Sequence, residues 1–320
     1  MIRALWVLFL VAPASWLLVG CEKRPAGQPS APTSRPAVAR TTTTRAAATR
    51  PVARARRDYK VVHVFVALAD NQNQGIVKVT PALGNGQDPG GNLYWGAMYG
   101  VKTFFSRSPH WRALRTERSA DAGDPVLERA VLKSAGAPPV YVIAEAYDGA
   151  QMKAALTDFL DAAAGTSAAG FRVPDPAGAF FLHAGGQADM VCFVGHNGLM
   201  DIQLDWQPRG REPNVSHAVA LASEGQPGFV APLVPPRVAV VLACKSQPYF
   251  TEPLRKAHCL PLLTTTGLMA PEAYTLDAII RSWAAGDSQD TILSKAAEAY
   301  AKYQKCPLPA ARKLFTGAAE

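Results

Sequence analysis

The sequence predicts an α/β domain built on a mostly parallel sheet with helices on both faces. Two observations carry that prediction. Met190-Val191-Cys192-Phe193-Val194 and Val238-Ala239-Val240-Val241-Leu242 are short, wholly apolar runs. Runs of that length bounded by turn residues are the pattern of strands buried on both faces of a sheet. Around them, similar runs alternate with segments whose apolar residues recur at helical spacing, as parallel strands joined by helical crossovers require. Each run also ends in a reactive side chain. The first enters Gly195-His196-Asn197-Gly198 and the second Ala243-Cys244-Lys245-Ser246. Open α/β sheets bind ligands at the carboxyl ends of their strands, so an imidazole and a thiol are expected at one edge, facing one crevice. That pair is the minimum equipment of a Cys-His nucleophilic enzyme.

The chain ahead of this domain reads as delivery information. Arg3 gives a positive start, Ala4 to Val19 an apolar stretch, and Leu18-Val19-Gly20-Cys21 the exit. A charged start, an apolar core and small residues before a cut describe a secretory signal. The tetrapeptide resembles the bacterial lipobox, in which the Cys is acylated and becomes the new N-terminus. Residues 1–20 are therefore expected to be a lipoprotein signal peptide and Cys21 the lipidated residue. An uncleaved anchor is the other reading, against which Pro13 and the short apolar length weigh. The expected location is the bacterial cell envelope, lipid-anchored, with the domain outside the cytoplasm.

Residues 21–57 are Pro, Ala, Thr and Arg with almost no aliphatic bulk. Such a segment buries too little surface to offset its ordering entropy and reads as a tether. It also accounts for the charge. Lys23 and eight arginines stand there against the single acid Glu22, so this stretch alone matches the chain's net charge of +8 and leaves residues 58–320 close to neutral. The basic balance thus belongs to a tail suited to anionic lipid or cell-wall polymer, and no nucleic-acid partner is expected of the domain.

Residues 58–320 suit one large α/β domain with a single core. Val61–Leu68 is a β-branched run and a central strand, stopped by the polar loop Asp70-Asn71-Gln72-Asn73. Leu93, Tyr94, Ala97, Met98, Val101, Phe104 and Phe105 follow at the spacing of an amphipathic helix. Asp124-Pro125 is a helix start, with Val126, Leu127, Ala130 and Val131 behind it and Gly136 as the stop. Val140–Ile143 is a short strand. Asp148 caps a helix through Met152, Ala155, Leu156, Phe159, Leu160 and Ala163, closed by Gly165. The His-bearing and Cys-bearing strands come next, separated by a polar, Gly/Pro-rich connection over residues 203–236. Leu262–Thr266 is another strand. Pro271 opens a helix that runs to Gly286, and Ser288 caps a last helix that stops near Pro307.

In this order of elements the chain resembles the caspase-like clan of cysteine peptidases, which includes caspases, legumains, gingipains and clostripains. The clan pattern is an apolar strand ending in His-Gly, then a second ending in Ala-Cys. Here those are Met190–Val194 before His196 and Val238–Leu242 before Ala243-Cys244, 48 positions apart, close to the spacing of about 50 in caspases. The resemblance spans residues 59–305 and implies a three-layer sandwich. Three departures stand out. Asn197 lies between His196 and Gly198, where the clan has Gly directly; the Cys244 segment lacks the caspase Gln before and Gly after; and Phe105–Gly123 has no counterpart.

The resemblance implies Cys244 as nucleophile and His196 as the general acid/base that protonates the leaving amine. It implies an oxyanion site of backbone N–H groups from Cys244 and Gly198, with the Asn197 amide as the substitute if the insertion displaces Gly198. Asp201 and Asp189 lie near His196 in sequence, and neither is marked as its partner. Near the end of the first strand, where several clan members hold the first substrate side chain, Asp70 offers an acidic contact to a basic residue, or an ordinary Asp/Asn turn. The implied activity is hydrolysis of peptide or amide bonds. The competing reading is a catalytically inactive binding or scaffold lipoprotein of the envelope on the same fold, and a third is a structural envelope protein.

Besides Cys21, four cysteines remain at 192, 244, 259 and 306. Outside the cytoplasm disulfides are permitted. Cys259–Cys306 is one pairing, among three full pairings that sequence cannot separate. Gly195-His196-Asn197-Gly198 superficially resembles a lipase elbow but has Asn where Ser is needed. No phosphate loop, dinucleotide fingerprint or metal-ligand spacing is found, and no cofactor or metal is expected. The scattered His63, His110, His183, His217 and His258 read as structural.

Overall fold

The computed structural model describes residues 57–174, 180–208 and 237–317. The signal, Cys21 and nearly all of the tether lie outside the described residues, as does 209–236 of the polar connection. No helix among the described residues is long and apolar enough to cross a membrane.

The strands are β1 (Lys60–Ala67), β2 (Trp111–Arg118), β3 (Val126–Ser134), β4 (Val140–Tyr147), β5 (Ala168–Val173), β6 (Phe180–Gly185), β7 (Met190–Val194), β8 (Val238–Leu242), β9 (Leu260–Thr265) and β10 (Phe315–Thr316). Eight form one sheet in the order β10-β9-β8-β7-β1-β4-β3-β2, and β5 and β6 form a separate hairpin. The five central strands, β9 to β4 in that order, are parallel. Antiparallel strands flank them on both sides.

The expected mostly parallel α/β sandwich is the observed one, and β1 shows why. Its run of alternating positions buries side chains on both faces. Val62, Val64 and Val66 enter one core with helices α1 (Val101–Arg107), α4 (Ala273–Ala284), α5 (Gln289–Gln304) and α6 (Leu308–Leu314). Val61, Phe65 and Ala67 enter the other, with α2 (Met152–Ala164), α3 (Ser246–Lys256) and the β5–β6 hairpin. A strand covered on both faces has no solvent side to alternate toward, which is why these runs are continuously apolar.

Local signals set several boundaries. Asp148 accepts from Ala150 N at 2.9 Å and opens a 3-10 turn that leads into α2. Gly165 closes α2 in the left-handed region, φ 78. Ser288 caps α5 through Thr291 N.

Elsewhere the structure corrects the sequence reading. The expected helix behind Asp124-Pro125 is strand β3, antiparallel to β2 and β4. Apolar residues at 126, 127, 130 and 131 fit a helix, but pairing on both sides decides the outcome, and Asp124 caps Val126 N at 2.9 Å within a turn. The helix expected from Leu93 forms only over Val101–Arg107. Ahead of it, three successive N–H groups, those of Trp95, Gly96 and Ala97, converge on Asn92 O. A Cβ on Gly96 would fall 2.0 Å from Gly90 O, so the chain turns where only glycine fits. Phe105–Gly123 contains β2. Neither α3, with Pro253 inside it, nor the β5–β6 hairpin is expected from the sequence pattern. The Cys259–Cys306 bridge is absent: no disulfide joins Cys192, Cys244, Cys259 and Cys306.

The polar core is anchored by Glu145 on β4. His63 Nε2 lies 3.0 Å from its Oε2, and Arg129 Nε donates to Oε1 at 2.6 Å. Gly185 N donates to His63 Nδ1, so Nε2 carries the proton that faces Glu145. Burial pushes the Glu145 carboxyl up, but His63 and Arg129 outweigh it and hold the group at about 2. A carboxyl held below its ordinary value stabilises the fold above that ordinary value, and the contribution disappears as pH falls through the folded one. Glu145→Gln is therefore expected to lower unfolding free energy at pH 7 by on the order of 3 kcal/mol. It should also flatten the acid limb between about pH 4.5 and 2. Denaturant unfolding across that range checks both; an unchanged slope overturns the assignment.

Candidate active site

β7 and β8 pair in strict register, from Met190↔Val238 to Val194↔Leu242. His196 and Cys244 each stand two residues beyond the last pair, at the carboxyl edge of the sheet. The topological switch point adjoins it, between β1, from which the chain leaves toward the β4 side, and β7, from which it leaves toward β8.

The His loop begins with Gly195, whose φ is 146 and whose N donates to Leu242 O at 3.2 Å. A Cβ there would approach Ala67 O to 2.6 Å, so glycine lets the loop pass against β1. His196 follows, 8% exposed. Its Nε2 meets Asp201 Oδ2 at 2.5 Å. Asp201 also accepts from Gly75 N at 3.0 Å, which ties the His loop to the loop after β1. Burial raises the Asp201 carboxyl, but the Gly75 N–H and His196 together outweigh it and hold it below its ordinary value. Asp201 is therefore the ionised group that orients the imidazole. Asp189 instead serves the opposite edge of the sheet, where it binds Arg57 and Val61 N.

Asn197, the residue that departs from the clan pattern, is fully buried. Its Nδ2 donates to Cys244 O at 2.8 Å, so the inserted residue clamps the two loops together. Its Oδ1 is buried and has no hydrogen-bond partner among the described residues. The Gly198 N–H is spent on His196 O at 3.0 Å. The backbone N–H groups of Asn197 and Cys244 make no hydrogen bond among the described residues. The Gly198 N–H is thus taken, while those of Asn197 and Cys244 are left without a partner among the described residues.

Cys244 is partly exposed. Its Sγ accepts from Met269 N at 3.4 Å and lies 3.4 Å from Met269 O. The turn that carries it is locked onto β9. Lys245 takes the left-handed conformation, φ 47 and ψ 41, and its N donates to Gly267 O. Ser246 Oγ donates to Val241 O at 3.0 Å and accepts from Thr265 N at 2.8 Å, and Thr265 Oγ1 donates to Ala243 O. No hydrogen bond joins His196 to Cys244 among the described residues.

Asp70 is 1% exposed, and its carboxylate holds its own loop. It accepts from Gln72 N, Asn73 N, Asn73 Nδ2 and Gln87 Nε2. Burial raises that carboxyl, but these donors outweigh it and keep it low. The turn reading of Asp70-Asn71-Gln72-Asn73 describes this arrangement. Cys21 lies outside the described residues. Groups of three or more His, Cys, Asp or Glu able to hold a metal are absent among the described residues.

Segments leaving the carboxyl ends of the strands carry exposed apolar side chains: Val77 after β1, Met200 after β7, Tyr249 after β8 and Leu268 after β9. Comparison with family models, curated proteins and solved structures finds no match, so the functional reading rests on this geometry.

Gly195→Ala is expected to cost about 1–3 kcal/mol, because the added Cβ meets Ala67 O and the backbone leaves the region open to L-residues. Unfolding measurements check the cost. Full stability in this variant overturns the account of the His loop.

Proposed function

We propose that this protein is a Cys-His hydrolase of peptide or amide bonds, caspase-like in architecture and lipid-anchored through Cys21 at the bacterial envelope. The observation that carries the reading is the shared register. An imidazole and a thiol continue the β7–β8 ladder at one sheet edge, held together by the Asn197–Cys244 contact.

In this reading the Cys244 sulfur, as thiolate, attacks the substrate carbonyl carbon. The carbonyl oxygen takes the negative charge beside the Asn197 and Cys244 N–H groups, where fixed donors stabilise it. The C–N bond then breaks as His196 gives a proton to the departing amine. Asp201 occupies Nε2, which leaves Nδ1 as the nitrogen for that transfer. Water, deprotonated by the same nitrogen, attacks the thioester carbonyl, the C–S bond breaks, and the Cys244 thiolate and protonated His196 return to their starting state. His196 and Cys244 do not touch before substrate arrives, and this arrangement suits a histidine that serves the leaving group rather than the sulfur. The same separation is what favours the second reading, a non-catalytic binding module.

A peptidyl electrophile is expected to label Cys244 and no other cysteine, with labelling lost in Cys244→Ala. His196→Ala should slow turnover of a peptide amide by about 10²–10⁴-fold, and Asp201→Asn by roughly 10²-fold through misorientation of the ring. Mass spectrometry of the labelled protein and steady-state kinetics check these outcomes. Equal labelling of Cys192, Cys259 and Cys306, or turnover unaffected by Cys244→Ala, favours the binding module instead.

The anchoring has its own test. Cells expressing the full chain and fed an alkynyl fatty acid should incorporate it, and Cys21→Ser should abolish incorporation. Retained label in that variant removes the lipid attachment from the proposal.

A further inference from the structure

Asp201 orients the imidazole, yet its own side chain stands on a loop and is 37% exposed. A carboxylate there has several rotamers open to it, so something must select the one that meets His196. The selection falls on one oxygen. Oδ2 accepts from His196 Nε2 at 2.5 Å and from Gly75 N at 3.0 Å. Oδ1 makes no hydrogen bond among the described residues. The Gly75 N–H also makes the only hydrogen bond between residues 70–80 and the His loop, residues 195–202, among the described residues.

Gly75 is fastened by the residue before it. Gln74 Nε2 donates to Leu68 O at 2.8 Å, just past β1, and to Gly149 O at 2.9 Å, in the 3-10 turn ahead of α2. Its Oε1 accepts from Asp70 N at 3.3 Å. On the far side, Asn71 Nδ2 donates to Val79 O at 2.9 Å and Asn71 Oδ1 accepts from Val79 N at 3.0 Å. The Gly75 N–H is therefore a fixed point of the scaffold. The choice of glycine also needs a reason. Its backbone is outside the left-handed region, so the turn itself does not require glycine. The neighbouring carboxylate does. A Cβ here would fall 2.8 Å from Asp201 Oδ1 and 3.2 Å from Oδ2. Those atoms end a flexible side chain, so the carboxylate would swing away and the loop would stay.

We propose that Gly75 is a positioning residue of this site: its N–H holds the Asp201 carboxylate on His196 Nε2, and its missing side chain leaves the carboxylate room to lie there. This rests on the hydrolase reading above. Gly75 touches neither the thiol nor the imidazole among the described residues. It acts through Asp201 on the tilt of the ring, and so on the direction of Nδ1, the nitrogen that serves the leaving amine. A proton donor turned away from its target loses rate without loss of substrate binding. Gln74 is the support behind it, because its two carbonyl contacts fix where the Gly75 N–H points.

The test is a variant cycle read by steady-state turnover of a peptide amide. Gly75→Ala is expected to lower kcat by about 10–100-fold with KM unchanged. In an Asp201→Ala background, where no carboxylate remains to be displaced, the same change should cost less than about twofold. The acylation burst with an aryl ester, whose phenolate leaves without a proton, should slow less than amide turnover does. Should Gly75→Ala fail to fold, Gln74→Ala carries the same test, with a smaller loss of kcat that again vanishes in the Asp201→Ala background. Full amide turnover in Gly75→Ala, a loss that appears in KM alone, or a loss that multiplies with that of Asp201→Ala overturns the positioning role. If turnover still depends on Cys244 in those cases, the hydrolase reading stands. Absence of amide turnover in the unaltered protein overturns both.

Discussion

The β7–β8 ladder is the constraint on which the rest of the site depends. Each residue of β7 pairs with the residue 48 positions later, from Met190↔Val238 to Val194↔Leu242, and His196 and Cys244 keep that same offset beyond the last pair. Parallel strands hold neighbours about 4.8 Å apart in the hydrogen-bonding direction. Two side chains carried past the ends of such a ladder therefore leave the sheet side by side. A slip of one residue would turn every side chain of β7 to the other face. It would move Phe193 out of contact with Phe159 and Phe250, so core packing and site geometry are held by the same register.

The loops beyond the strands convert proximity into a fixed arrangement. Asn197 spans two of them through Cys244 O, Asp201 binds the imidazole to the loop after β1, and Ser246 with Thr265 fastens the Cys turn to β9. Four successive neighbours in the sheet order, β1, β7, β8 and β9, thus contribute to one constellation. The arrangement carries a cost. The buried Asn197 Oδ1, without a partner among the described residues, corresponds to about 1–3 kcal/mol of lost solvation, and Lys245 sits in a conformation that costs an L-residue about 1–2 kcal/mol. Such costs persist where the surroundings over-determine the geometry, and here both fall within one residue of the proposed catalytic pair.

Much of this was legible in the sequence where burial is symmetric. β7 and β8 read as strands because both faces are covered and their runs are wholly apolar, and β1, β4 and β9 because their runs are short and rich in β-branched and apolar residues; α2 and α5 read as helices because Asp148, Gly165 and Ser288 mark their ends. The misreadings share a cause. Val126–Ser134 has apolar residues that suit either period, and only its pairing with β2 and β4, set by residues distant in sequence, makes it a strand. The segment 93–100 has helical spacing but is folded by Asn92, whose side chain also bonds Ala69 N and O. At the site, His196 and Cys244 stood out because each ends an apolar run. Asp201 did have a signal, a carboxylate five residues past the histidine, but its role required knowing that the 3-10 turn at Gly198–Met200 brings it back to the ring.

The same sheet separates the entry of the described chain from the proposed site. Arg57, at the start of the described chain, binds Asp189, Gln187 O and His183 O beside the amino ends of β1 and β7. His196 and Cys244 stand past the carboxyl ends of β7 and β8. β1 alone has 8 residues, about 26 Å of extended chain, between the two edges. The preceding chain therefore joins the domain at the edge opposite the crevice.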